Sequence, residues 1–202
     1  MQYLYPFIIS FIFIFFSELG DKTQILVLSF SVKNKTTNIL LGVALGTLCS
    51  HGLAIMFGSH LGIIENDNFI YYLKFLTYCT FLIFGFTGFL KLKKEDNNSK
   101  SKFIKSLSSL TKNCIFIVAS SIAIGELGDK TFLASIGLGI EYPMFKIPLV
   151  CGSICGMVAS NSIAIFLGKW LSSKVSASTI EILSNIIFIL FGIIGFSSLL
   201  SF

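Results

Sequence analysis

The chain has 202 residues, of which 54% are hydrophobic, 14% aromatic and only 12% charged, with a formal net charge of +5. A soluble domain needs far more polar surface, and a disordered chain lacks long apolar runs. Both classes are excluded, as is a nucleic-acid-binding domain despite the positive charge, and the composition reads as an all-α integral membrane protein.

In chain order, apolar stretches long enough to cross a bilayer are expected over residues 4–30, 39–64, 69–90, 114–140, 147–167 and 180–202. Each meets the requirement of about 20 helical residues for a hydrocarbon core of about 30 Å. The first begins almost at the initiator Met with no Lys-bearing leader and no cleavage site, so it reads as a retained span. The Lys-rich and Ser-rich segment 91–112 is a solvated linker between a first unit, 1–90, and a second, 113–202.

The two units repeat each other. Residues 17–24 read SELGDKTQ and residues 125–132 read GELGDKTF, so Glu, Leu, Gly, Asp, Lys and Thr recur at an offset of 108. Gly46 matches Gly156, and the run 54–58 matches 164–168, at an offset of 110. Gly85 and Gly88 match Gly192 and Gly195 at 107, and all four read as helix-packing positions. Three spans per unit is an odd number, so the second copy enters the membrane from the opposite side, giving six helices as two inverted three-helix repeats.

All fifteen basic residues are Lys. Lys33, Lys35, the seven of the linker, Lys169 and Lys174 fall on one side, whereas Lys74 and Lys146 fall on the other. The positive-inside rule then places the linker in the cytoplasm and both termini outside it. The five Cys lie in or beside apolar runs and form no disulfide framework. Cys151 and Cys155 share a helix face but read as packing residues.

The chemistry is concentrated in the two hexads. Glu18, Asp21, Glu126 and Asp129 all lie inside expected spans. An Asp at bilayer depth costs roughly 2.5 to 3.5 kcal/mol by insertion measurements, so such acids mark a pathway or a binding site. On a continuous helix, Glu and the Asp three residues later share a face, with Lys22 or Lys130 four residues after its Glu on the same flank. A purely structural Glu–Lys pair would leave both Asp residues unexplained. Gly20 and Gly128 permit either close helix approach or a local break that frees backbone carbonyls. Thr23 and Thr131 add hydroxyl oxygens, and Gln24 adds an amide in the first copy only.

Such an oxygen set suits a hard divalent cation such as calcium or manganese. With all four acids ionised and both Lys charged, the combined site carries two negative charges, which one divalent ion neutralises. Competition between metal and protons for the same carboxylates is a direct route to antiport. The ion is substrate, and no cofactor is expected. His51 aligns with Asn161 at an offset of 110, a polar position that reads first as an interhelical hydrogen bond and otherwise as a ligand or a proton relay.

Glu-x-Gly-Asp-Lys-Thr, twice, inside a six-span repeat of this length resembles the transmembrane-protein-165 family of cation/proton exchangers of Golgi, chloroplast and bacterial membranes. The resemblance covers essentially the whole chain. It implies exchange of manganese and calcium for protons, with Glu18, Asp21, Glu126 and Asp129 forming the cation path and Lys22, Thr23, Lys130 and Thr131 as companions. No N-terminal targeting extension precedes the first span, so a bacterial plasma membrane or an organelle-encoded, plastid-type location is expected. The short Lys-rich linker departs from the longer acidic loop of many members.

Three other readings compete. An exporter of amino acids or another small solute fits the repeat plan, but the site has four acids and no Arg for a carboxylate-bearing substrate. An intramembrane aspartyl protease would use Asp21 and Asp129 as a shared-proton dyad, which Glu18 and Glu126 beside them would spoil. A non-transporting scaffold would be indifferent to loss of the acids.

Overall fold

The computed structural model describes residues 2–19, 21–31, 34–64, 66–91, 113–174 and 177–200. Nearly all of the linker expected over 91–112 lies outside the described residues, as do Gly20 and the side chain of Lys22. The described residues form helices α1 (Leu4–Glu18), α2 (Lys22–Ser31), α3 (Thr36–Gly62), α4 (Asp67–Lys91), α5 (Cys114–Glu126) and α6 (Lys130–Glu141). A 3₁₀ turn (Pro143–Phe145), α7 (Lys146–Lys174) and α8 (Ala177–Leu200) complete the fold.

Four stretches are long and apolar enough to cross a membrane, Thr36–Gly62, Asp67–Phe89, Pro143–Phe166 and Ile182–Leu199. The remaining two apolar segments, 4–30 and 114–140, are not continuous helices. Each is divided into two short ones at its Leu-Gly-Asp, giving α1 with α2 and α5 with α6. At 1.5 Å per residue the 15-residue α1 spans only about 22 Å, short of a bilayer core.

Local sequence sets the helix ends. Asn113 opens α5 by accepting a hydrogen bond from Ile115 N–H at 3.0 Å. Pro143 disfavours helical geometry at Tyr142, whose φ of −124° and ψ of 59° end α6 and start the 3₁₀ turn. Pro148 sits in the first turn of α7, where its missing N–H costs nothing.

Helices from the two sequence units interleave. The helix α1 packs on α7, α3 packs on both α5 and α6, α4 pairs with α8, and α3 crosses α7. Glycines permit the closest crossings. A Cβ at Gly46 would stand 2.6 Å from the carbonyl oxygen of Ala119, and one at Gly156 would stand 2.7 Å from that of Phe11. Both the glycines and the residues that they meet are related by the duplication, at offsets of 110 and 108. Without a hydrophobic drive between helices in lipid, such small residues bring backbones into van der Waals and polar contact. Gly85 and Gly192 do the same between α4 and α8, where an added Cβ would lie 2.5 Å from Ile189 and 2.6 Å from Leu82.

An aromatic cluster ties α1 to α4 and α8. The ring of the fully buried Phe13 lies 5.5 Å from Phe81, 5.0 Å from Phe188 and 4.6 Å from Phe191. The outer faces are also apolar, with Leu53, Phe57, Tyr72 and Phe166 more than half exposed. A water-facing protein does not present apolar residues on that scale, whereas a bilayer requires them.

Candidate metal centre

The site is built at the two helix breaks. Gly128 has φ of +78°, a left-handed conformation that side-chain-bearing residues adopt at a cost, and it ends α5 directly after Glu126. Asp129 N–H donates to Glu126 O at 3.0 Å, closing the turn, and Asp129 O then accepts from Leu133 N–H at 3.1 Å. The first break follows the same plan, with Asp21 N–H donating to Glu18 O at 3.2 Å and Gln24 N–H to Asp21 O at 3.0 Å. Each Glu is therefore the last residue of one helix, and each Asp immediately precedes the next.

This corrects the one-face argument. Glu and Asp do not share the side of a continuous helix but face each other across a turn. The two turns, 108 residues apart in sequence, meet. One carboxylate oxygen from each of Glu18, Asp21, Glu126 and Asp129 lies within 4.8 Å of the others. Glu18 and Glu126 are buried, with 0% and 1% of their surface exposed, and the two Asp residues are half-buried.

Each Glu is held by the Thr of its own hexad. Thr23 Oγ1 donates to Glu18 Oε2 at 3.3 Å, and Thr131 Oγ1 donates to Glu126 Oε2 at 3.2 Å. The other oxygen of Glu18, Oε1, is buried with no hydrogen-bond partner among the described residues. A buried carboxylate oxygen without a donor is costly unless a cation or proton meets it.

The lysine of the second hexad does not join the cluster. Lys130 Nζ donates to Ser184 Oγ on α8 at 3.2 Å and stands 5.4 Å from the centre of the Phe188 ring. Ser184 in turn donates to Ser17 O at 3.3 Å. The intrahelical Glu126–Lys130 pair expected of a continuous helix is thus replaced by a tie to α8, because the break turns Lys130 away.

The remaining polar residues anchor the half-helices. Gln24 Nε2 on α2 donates to Ser160 Oγ at 2.6 Å and to Ser160 O at 3.2 Å on α7. His51 on α3 pairs through Nδ1 with Ser135 Oγ on α6 at 2.6 Å. A ring nitrogen of His51 also lies within 4.8 Å of carboxylate oxygens of Glu18 and Glu126, so His51 stands at the site. Asn161, its duplicate, is buried on α7 and donates to Met157 O of its own helix at 2.9 Å.

Ser135, Ser160 and Ser184 were not singled out by the sequence. The available signal was a hydroxyl in an otherwise apolar span. A second polar group, also not anticipated, lies at the far end of α6. Lys74 Nζ is 3.3 Å from Glu141 Oε2, to which Tyr78 also donates, beside a cavity of about 300 Å³. Cys151 and Cys155 are free and exposed on α7, away from the carboxylates.

Electrostatics decides what the cluster can do. Two like charges 4.8 Å apart repel by about 3.5 kcal/mol at an effective dielectric of 20, and four carboxylates make several such pairs. The quartet is therefore not stable fully ionised and empty, and it needs protons or a cation. The carboxylate and hydroxyl donors match a hard divalent ion.

The family model described as "Divalent cation/proton antiporter GDT1" matches residues 6–96 and 114–200. A Synechocystis "GDT1-like protein sll0615" is 23% identical over 89% of this chain and 90% of its own length. The Vibrio cholerae "Putative manganese exporter" is 26% identical over 86% of this chain and 82% of its own. Rice "GDT1-like protein 5" is 36% identical over 42% of this chain, a match that spans 36% of the rice protein. No solved structure matches.

Proposed function

The chain belongs to the GDT1 family of divalent cation/proton antiporters, and we propose that it exchanges manganese or calcium for protons at the four-carboxylate cluster. The family is one of transporters rather than enzymes, so the protease reading falls. The observation that carries the proposal is the meeting of Glu18, Asp21, Glu126 and Asp129 within 4.8 Å at two helix breaks. A divalent ion neutralises two of the four charges, and protons do the same when the ion leaves. Either load relieves the same repulsion, and binding one disfavours the other.

The six apolar segments act as two inverted three-helix repeats working by alternating access. The reciprocal glycine contacts of α3 with α5 and of α7 with α1 support this arrangement. The eleven Lys on one side support a cytoplasmic linker and non-cytoplasmic termini, in a bacterial plasma membrane or a plastid-type membrane. Manganese as substrate is favoured by the similarity to the Vibrio "Putative manganese exporter".

The test is proteoliposome flux of Mn²⁺ and of Ca²⁺ under an imposed pH gradient, with Glu18→Gln and Asp129→Asn as controls. Uphill metal movement that reverses with the gradient and is lost in both variants is expected. Undiminished flux in both variants would remove the site, and absent flux in the wild-type protein would favour the scaffold reading.

A further inference from the structure

The carboxylate quartet has a fifth neighbour that the oxygen chemistry does not explain. His51 is fully buried on α3, and its ring reaches within 4.8 Å of carboxylate oxygens of Glu18 and Glu126. Its two nitrogens are in different situations. Nδ1 lies 2.6 Å from Ser135 Oγ. Ser135 already donates its single hydroxyl proton to Thr131 O at 2.9 Å, so it can only accept from the ring. The proton therefore sits on Nδ1, and Nε2 carries a lone pair. That Nε2 is buried with no hydrogen-bond partner among the described residues.

An imidazole tied through Nδ1, with an unsatisfied Nε2 and a ring nitrogen within 4.8 Å of two buried carboxylates, has the arrangement of a metal ligand held by an outer hydrogen bond. Thr131 strengthens the point. It is the residue whose hydroxyl holds Glu126 and whose carbonyl orients Ser135. One hexad residue thus positions both an oxygen ligand and the histidine.

We propose that His51 is a nitrogen ligand of the transported ion and sets the preference of this site for manganese over calcium. Calcium takes oxygen ligands and gains little from an imidazole, whereas a first-row transition ion gains from nitrogen. The duplicated position supports the assignment. Asn161 offers an amide where His51 offers a ring nitrogen, so selectivity is carried by one copy only. The inference rests on the cation-exchange reading above and deepens it.

The experiment uses the full chain in detergent, loaded with Mn²⁺ alone, and reads nitrogen-14 hyperfine coupling by pulsed electron paramagnetic resonance. Coupling from a ligated imidazole is expected in the wild type and in His60→Asn, and absent in His51→Asn with the metal still bound. The chain has only two histidines, which makes the assignment unambiguous. In proteoliposomes His51→Asn should lose more Mn²⁺ flux than Ca²⁺ flux, while a wild-type helical circular dichroism spectrum and a single gel-filtration peak report a folded protein. The substitution should lower the manganese-to-calcium preference by about tenfold or more, since even an outer-shell partner is worth about 10–100-fold in metal affinity. Bound Mn²⁺ without nitrogen coupling in the wild type, coupling lost in His60→Asn, or an unchanged preference in His51→Asn would each overturn the assignment while leaving cation exchange standing. A wild-type protein that neither binds nor moves either metal would overturn both.

Discussion

The two helix breaks are copies of one device that have diverged in their supports. Both end a helix on Glu, begin the next after Asp, and pin the Glu through the Thr five residues on, at 3.3 Å in the first and 3.2 Å in the second. What holds each half-helix in place differs. The first copy uses Gln24 to reach Ser160, whereas in the second Phe132 replaces the amide, and Ser135 meets His51 instead. The acids and the hydroxyls that hold them are present in both copies. The anchoring bonds have become unequal, and the one in the second copy also fixes the ring of His51 beside the acids.

The strongest challenge to that comparison is removal of one buried Glu from either copy. Truncating one partner of a buried charge interaction costs about 2–5 kcal/mol, or roughly 30-fold or more in affinity. Glu18→Gln and Glu126→Gln should therefore each reduce Mn²⁺ flux by at least about 30-fold, and by similar factors. A large inequality between them would show that only one copy binds the ion.

A smaller and equally symmetric loss is expected for Thr23→Val and Thr131→Val. A hydrogen bond to a charged group is worth about 1.5–3 kcal/mol, so flux at subsaturating metal should fall roughly tenfold or more in each. The packing should respond in parallel. Gly46→Val and Gly156→Val each drive a side chain onto a carbonyl of the opposite unit, at a cost of about 1–3 kcal/mol. Both should lower the detergent melting temperature by comparable amounts. The smallest effect belongs to the unequal support. Gln24→Leu removes a neutral anchor worth about 1 kcal/mol and should destabilise the protein modestly with little change in metal selectivity.

How much of this was legible beforehand follows from what a membrane sequence encodes. The apolar lengths, the duplication and the four acids were plain, because hydropathy and repeated Glu-Leu-Gly-Asp-Lys-Thr are written in residue types. The breaks were not. A single Gly in a helix interior costs only about 1 kcal/mol, so Leu-Gly-Asp inside an apolar run fits a continuous helix as well as a broken one, and the φ of Gly128 is visible only in the fold. That is why Lys130 was expected beside Glu126 and is found on Ser184. The partners of the half-helices were equally hidden. Spans that are apolar on every side do not announce which face is buried, so Ser135 and Ser160 looked like any other small residue.

The interleaving of the helices bears on how the protein is made. Ser10 donates to Leu149 O and Gln24 to Ser160, partners separated by 139 and 136 residues. At a translation rate of about 5–20 residues per second, α2 waits roughly 7 to 27 s for the helix that receives it. Glu18 is synthesised 108 residues before Glu126, so for about 5 to 22 s it has no second acidic turn to meet. Biogenesis must shelter an unmatched carboxylate until the second acidic turn emerges.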